Sequence, residues 1–256
     1  MTTTEVVRYE RRGPVAWVTI NRPEARNALD RAVREGLFAA TARFDGDPTA
    51  AVLVLTGAGD VAFSAGADLK EMAADGLTVP PPDFLPQFGR NAGSAKPIIA
   101  AVNGLAYAGG FLLVQSCDLV VAAEHAEFAV PEAKVGRGAP WAAPLASLIP
   151  PKAALHLLLT GDPISAARAH ALGLVTEVVP ADQLQDRVQA CAERIAANAP
   201  LSVRAAKQMV HATRGMPPAE AFAEAERIFA PVYRSADAQE GPRAFAEHRT
   251  PRWTGR

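Results

Sequence analysis

Three segments of this 256-residue chain bring glycine turns and a carboxyl group into a chemically suggestive pattern. Ala62-Phe-Ser-Ala-Gly-Ala-Asp-Leu-Lys70 places small residues ahead of an acidic helix start. Asn103-Gly-Leu-Ala-Tyr-Ala-Gly-Gly-Phe-Leu-Leu113 is a second glycine loop that enters a helix. Phe128-Ala-Val-Pro-Glu-Ala-Lys-Val-Gly136 offers one carboxyl, Glu132, directly after a proline. Glycine and alanine at a strand-to-helix junction let the backbone approach a ligand closely. The free N–H groups of a helix start favour negative charge. Two such junctions can point two donors at one oxygen. Either loop alone is explained as well by close packing at a turn, and Glu132 alone by the dipole of a helix start. The joint pattern points instead to a site for an oxygen that gathers negative charge.

A fourth glycine segment is a decoy. Gly57-Ala-Gly-Asp-Val-Ala62 fits the dinucleotide fingerprint, but that motif must open directly into a helix whose first turn meets the pyrophosphate. Here Phe63-Ser-Ala-Gly-Ala67 follows, and helical character begins only near Asp68. No nicotinamide or flavin cofactor is expected. The two cysteines, Cys117 and Cys191, form neither a disulfide framework nor a metal-spaced pair, so no metal is expected either. The balance of 26 basic and 27 acidic residues, with no block of one sign, argues against a nucleic-acid surface.

The elements that must carry these loops read as α/β. Val15–Ile20, Ala51–Thr56, Pro97–Val102, Asp118–Ala122 and Leu174–Val179 are short apolar runs rich in Val and Ile, as strands buried on both faces require. Helices are expected over Asp30–Phe44, Gly109–Ser116 and Ser165–Leu172, and a short one over Asp83–Gly93 after the Val79-Pro-Pro-Pro82 bend. After Pro180 the pattern becomes helical throughout, over 181–199, 201–211, 218–233 and 237–247. The expected division is an α/β core over residues 1–195 and an all-helical module over 196–256. The uncharged stretch from Pro97 to Cys117 is interrupted by Asn103, Gly104, Gly109 and Gly110, so a strand, a loop and a buried helix explain it better than a membrane span. The N-terminal residues lack the charged and apolar regions of a signal peptide, and a soluble, cytoplasmic protein in a reducing compartment is expected.

The order and spacing of these motifs resemble the crotonase (enoyl-CoA hydratase/isomerase) superfamily over nearly the whole chain. Asn21-Arg-Pro-Glu-Ala-Arg-Asn-Ala-Leu29 is similar to that family's N-terminal coenzyme A loop, Ser64–Lys70 to its A-G-A-D segment, and Asn103–Asp118 to its N-G-x-A-x-G-G-G…C-D segment. Phe128–Gly136 resembles its P-E segment, and Leu159–Ala166 with Ala171–Val175 its later stretch. The resemblance implies a ββα spiral core with a C-terminal helical module, coenzyme A bound only as part of the substrate, and a homotrimer or a hexamer. It implies that the backbone N–H groups of Ala67 and Gly109 form an oxyanion hole for a thioester carbonyl, a donor worth about 3 kcal/mol in the transition state. Arg26, Ala28, Ala65, Asp68 and Leu69 would line the coenzyme A site, with Arg26 at a phosphate.

The sequence also departs from that family. Hydratases of the superfamily use two glutamates, and Glu132 matches one of them. The other position is Leu112, which moves no proton. Two readings follow. In the first, an enoyl-CoA hydratase works with one carboxyl serving both steps. In the second, a Δ3,Δ2-enoyl-CoA isomerase shuttles a proton with Glu132 alone, its pKa raised by apolar surroundings. A relative that binds coenzyme A without turnover is a third. Tyr107, Glu124 or His125 are candidates for a second polar group. Arg137 is a candidate to hold an acyl carboxylate or to pair with Glu132, and Trp141 to narrow the acyl pocket.

Overall fold

In a computed structural model, residues 5–256 are described; Met1–Thr4, the start of the segment read above for a signal peptide, lie outside them. Ten strands form among the described residues: β1 Val7–Arg12, β2 Val15–Ile20, β3 Val52–Gly57, β4 Ala62–Ser64, β5 Ile98–Val102, β6 Leu105–Tyr107, β7 Leu119–Ala123, β8 Glu127–Ala129, β9 Ile164–Ser165 and β10 Glu177–Val179. The helices are α1 Arg31–Gly46, α2 Leu69–Ala74, α3 Gly109–Ser116, α4 Leu145–Leu148, α5 Pro151–Thr160, α6 Ala166–Ala171, α7 Leu184–Ala196, α8 Pro200–Ala212, α9 Pro218–Tyr233 and α10 Ala236–Ala246.

The strands build two sheets. The larger has the order β1-β2-β3-β5-β7-β10, parallel except for the β1–β2 hairpin, and the smaller has the order β4-β6-β8-β9. The chain climbs as a spiral: β3 then β4, β5 then β6, β7 then β8, one strand of each pair in each sheet. The larger sheet reads as expected because its central strands are buried on both faces. One face packs under α1 and α3 through Leu53, Leu55, Ile98 and Phe111, and the other is covered by α7 through Trp17, Val54, Ile99 and Val188. Burial on both sides removes the need for polar alternation.

The smaller sheet is the feature that local pattern does not reveal. Its strands are two or three residues long, too short for any period to register. Two expected elements are corrected. No helix forms over 83–93: Asn91 accepts from Gln87 N–H and donates to the Pro82 and Leu85 carbonyls, so the segment closes on itself as turns around Pro86 and Gly89. Proline lacks the N–H that a helix needs, and the residue before it is pushed out of the helical region. Leu174 and Val175 are also not strand, because both N–H groups turn back to Ala169 at the end of α6.

Helix α8 fastens to this core by half-buried polar contacts. Asp118 accepts from Lys207 Nζ at 2.8 Å and from Ile98 N–H at 2.8 Å, while Lys207 also donates to the Lys96 carbonyl. Lys96 is only 5% exposed and gives its ammonium to the Phe44, Asp45 and Asp47 carbonyls at the end of α1. A cation there meets both the orphan carbonyls and the negative end of the helix dipole.

Candidate active site

Parallel pairing in the smaller sheet is what gathers the site. β4 pairs with β6, and β6 with β8, all in the same direction. The chain that leaves each strand therefore emerges at one edge. Ala67 lies three residues past β4, Gly109 two past β6, and Glu132 three past β8. A further bond, Ala108 N–H to the Ala129 carbonyl at 3.1 Å, continues the pairing up to the turn before Glu132.

The first two junctions meet closely. A Cβ built on Gly109 would lie 3.6 Å from the Ala67 nitrogen, and one built on Gly66 would lie 3.0 Å from the Gly109 nitrogen. Gly66 has φ +90, and its added Cβ would also stand 2.7 Å from Ala108 Cβ and 2.9 Å from the Tyr107 carbonyl. Only glycine fits there. Ala108 itself sits at φ 51, ψ −121, a conformation that costs a non-glycine residue about 1–3 kcal/mol. That turn sets the direction of the Gly109 N–H at the head of α3. Among the described residues, neither the Ala67 nor the Gly109 N–H donates to a protein acceptor.

Residues not singled out from the sequence hold this geometry. Asn27, fully buried at φ 54, donates to the Ala58 and Ala62 carbonyls, and its own carbonyl accepts from Ser64 Oγ. Ser64 Oγ accepts in turn from Gly66 N–H at 3.1 Å. Arg22 bridges Asp30 at 3.0 Å and Asp68 at 3.3 Å and donates to the Ala28 carbonyl. A buried Asn in the left-handed region and an Arg flanked in space by two Asp residues are visible only once the chain is folded.

The expected coenzyme A residues lie together along these two loops. The Ala65 N–H donates to the Arg26 carbonyl, and the Leu29 N–H to the Gly66 carbonyl. Arg26 and Leu69 side chains are exposed, while Ala28, Ala65 and Asp68 are half-buried. Asp68 caps α2 by accepting from Lys70 and Glu71 N–H. Burial pushes its pKa up, but the Glu71 N–H, Arg22 and the Lys70 N–H outweigh that and hold it below the usual carboxylate range.

Glu132 stands in the 3-10 turn Pro131–Val135. Its Oε1 accepts from the Trp141 indole N–H at 3.1 Å, and its buried Oε2 has no partner among the described residues. Burial raises its pKa above the ordinary glutamate value, against the opposing pull of its own backbone N–H and of Trp141. Leu112 is 4% exposed in the core beside Phe111, so no second carboxyl faces Glu132 from that position. The other candidates for a second polar group are engaged elsewhere. The Tyr107 hydroxyl donates to Glu127 at 2.7 Å; burial and that carboxylate push its pKa up to about 12. His125 bonds the Asp60 carbonyl, and Glu124 is exposed. Arg137 does not pair with the Glu132 side chain; its guanidinium donates to the Leu77 carbonyl at 2.9 Å. Cys117 is a core thiol whose pKa burial raises, as expected of a packing residue. Gly57 leads into β4 rather than a helix. None of the helices among the described residues is long and apolar enough to cross a membrane.

A sequence model described as enoyl-CoA hydratase/isomerase matches residues 10–256. A carnitinyl-CoA dehydratase of Salmonella paratyphi A is 39% identical over 265 residues, spanning 99% of this chain and 100% of that protein. Among solved structures, an enoyl-CoA hydratase from Mycobacterium tuberculosis H37Rv superposes with a TM-score of 0.90 at 43% identity, over 99% of this chain and 100% of that one. An enoyl-CoA hydratase/isomerase from Mycobacterium paratuberculosis gives a TM-score of 0.91 at 36% identity, over 98% and 99%.

Proposed function

The chain belongs to the enoyl-CoA hydratase/isomerase family, and from that premise we propose that it adds water reversibly across the double bond of a 2-enoyl-CoA thioester. The observation that carries the reading is the buried Oε2 of Glu132, which has no partner among the described residues, at the sheet edge where two backbone N–H groups likewise donate to none of them. In this scheme the Glu132 carboxylate takes a proton from water as the hydroxyl adds to C3. The electron pair moves into the thioester carbonyl, whose oxygen the Ala67 and Gly109 N–H groups hold as an enolate. Glu132 then returns the proton to C2, and the 3-hydroxyacyl thioester is complete. Each donor contributes about 3 kcal/mol, because it is aimed in advance at the charge that develops. One carboxyl serves both steps, since Leu112 offers none.

Coenzyme A lies along the Asn21–Leu29 and Ser64–Lys70 loops in this reading, with Arg26 at a phosphate and Ala28, Ala65, Asp68 and Leu69 lining the rest of its site. Assembly as a homotrimer or hexamer belongs to the same proposal. It is supported by large apolar side chains left exposed on the last helices, Phe222 on α9 and Phe245 on α10, the latter 85% exposed. Turnover of crotonyl-CoA, followed by loss of the conjugated-thioester absorbance, tests the function. Glu132→Gln must abolish it; unchanged activity in that variant on every thioester tried sinks the catalytic assignment. Turnover of a 3-enoyl-CoA, with gain of that absorbance and no hydration, would select the isomerase reading that the buried Leu112 also accommodates.

A further inference from the structure

We propose that Trp141 is a positioning residue that divides the work of the Glu132 carboxyl: the oxygen beside the indole is a fixed acceptor, and the other oxygen alone takes and returns the proton. The inference rests on the hydratase reading above and deepens it.

An indole N–H donates and never accepts. The oxygen it bonds, Oε1 at 3.1 Å, therefore stays a bare acceptor in both protonation states. When Glu132 is neutral its proton must sit on Oε2. That is the buried oxygen without a partner among the described residues. The terminal torsion of a glutamate is otherwise broad, so the bond to Trp141 is also what holds the plane of the carboxyl.

Trp141 is itself anchored to the helix that carries one oxyanion donor. Its backbone carbonyl accepts from Gln115 Nε2 at 2.7 Å, and its ring meets Phe111 edge-on with centroids 6.3 Å apart. Gln115 and Phe111 both belong to α3, whose first residue is Gly109. Gln115 lies three residues beyond Leu112, hence on the same side of that helix. The Gln115–Trp141–Glu132 chain thus ties the proton carrier to the oxyanion donor in place of a second carboxyl. Gln115 Oε1 is likewise buried and unpartnered among the described residues, which leaves an acceptor for a water or an acyl hydroxyl.

Charges around Glu132 do not account for this. Lys134 on the same turn is held by Asp162 at 2.7 Å, Arg137 is turned to Leu77, and Lys152 and His156 lie on α5, which packs against the turn. Burial, the Glu132 backbone N–H and the Trp141 bond govern its titration.

Trp141→Phe keeps an aromatic ring, though a smaller one, and removes the donor. With crotonyl-CoA, kcat should fall roughly 10- to 100-fold, the effect of losing one hydrogen bond to a charged group, while KM changes by less than about twofold. The acid limb of the kcat profile should move to higher pH, because the carboxylate loses a stabilising bond. Gln115→Leu should shift the limb in the same direction by less, and it carries the test if Trp141→Phe does not fold. In 15N-labelled protein the Trp141 indole N–H resonance should titrate with Glu132 and cease to do so in Glu132→Gln. An unmoved acid limb, or a loss expressed wholly in KM, overturns the proposal and leaves Trp141 as a pocket wall. Persistent turnover in Glu132→Gln would instead overturn the hydratase reading itself.

Discussion

Replacing Gly66 by alanine should unfold the protein earlier and silence it, for reasons that can be separated. The backbone there has φ +90, where an L side chain costs about 1–2 kcal/mol. The new Cβ would stand 2.7 Å from Ala108 Cβ, 2.9 Å from the Tyr107 carbonyl and 3.0 Å from the Gly109 nitrogen. Two of those three are main-chain atoms of the small sheet and of α3, so they yield only if the junction opens. Overpacking of this kind costs about 1–3 kcal/mol, for a total of roughly 2–5 kcal/mol. At about 2–4 °C per kcal/mol for a chain of this size, Tm should drop by roughly 4–20 °C. Gly76 supplies the control: it has φ +59, but nothing lies within 4 Å of its added Cβ. Gly76→Ala should therefore lose only the strain term and keep its turnover. In Gly66→Ala the displaced Gly109 N–H should lower kcat/KM at least about 100-fold, as loss of an oxyanion donor does. Calorimetry with a crotonyl-CoA assay decides the matter. If Gly66→Ala melts with Gly76→Ala and turns over like the parent, the junction is not as tight as the geometry demands, and the donors are not where we place them.

Glu132→Gln should be more stable than the parent near pH 8 and lose that advantage by pH 4. The folded carboxyl has a raised pKa, so the parent is penalised as pH climbs through it and unpenalised below the unfolded value; parallel melting curves across that range would contradict the burial argument. Arg22→Ala removes the cation between Asp30 and Asp68 and should cost about 1–3 kcal/mol, with kcat/KM falling because the Ala67 loop loosens; denaturant titration beside kinetics checks both. Lys96→Met removes the ammonium shared by three carbonyls at the end of α1, leaving Phe44 and Asp47 one backbone donor each and Asp45 none among the described residues, and should cost about 1–3 kcal/mol while kcat stays unchanged, since the site lies elsewhere. Arg26→Ala should raise KM for a coenzyme A thioester several-fold, more at low ionic strength than at high, with kcat held; equal effects at both salt concentrations would exclude a phosphate contact.

The amino-acid sequence by itself determined the α/β class, the apolar strands of the large sheet, the two glycine junctions and the lone carboxyl after Pro131, because these rest on local composition and period. The resemblance to the crotonase superfamily also marked Leu112 as a place where a carboxyl is missing, and that residue is buried in the core. Only the tertiary structure decided that Ala67, Gly109 and Glu132 share one edge. That follows from parallel pairing of strands three residues long, which leave no period to read. Folding likewise turned residues 83–93 away from a helix, because Asn91 captures Gln87 N–H across four residues while Pro86 denies the chain a helical bond. The partner of Glu132 lay nine residues away in plain view as Trp141, yet an indole N–H becomes a specific donor only when two turns and α3 hold it 3.1 Å from a carboxyl oxygen. Long-range contacts of this kind are paid for by the whole fold, and no local window of residue types encodes them.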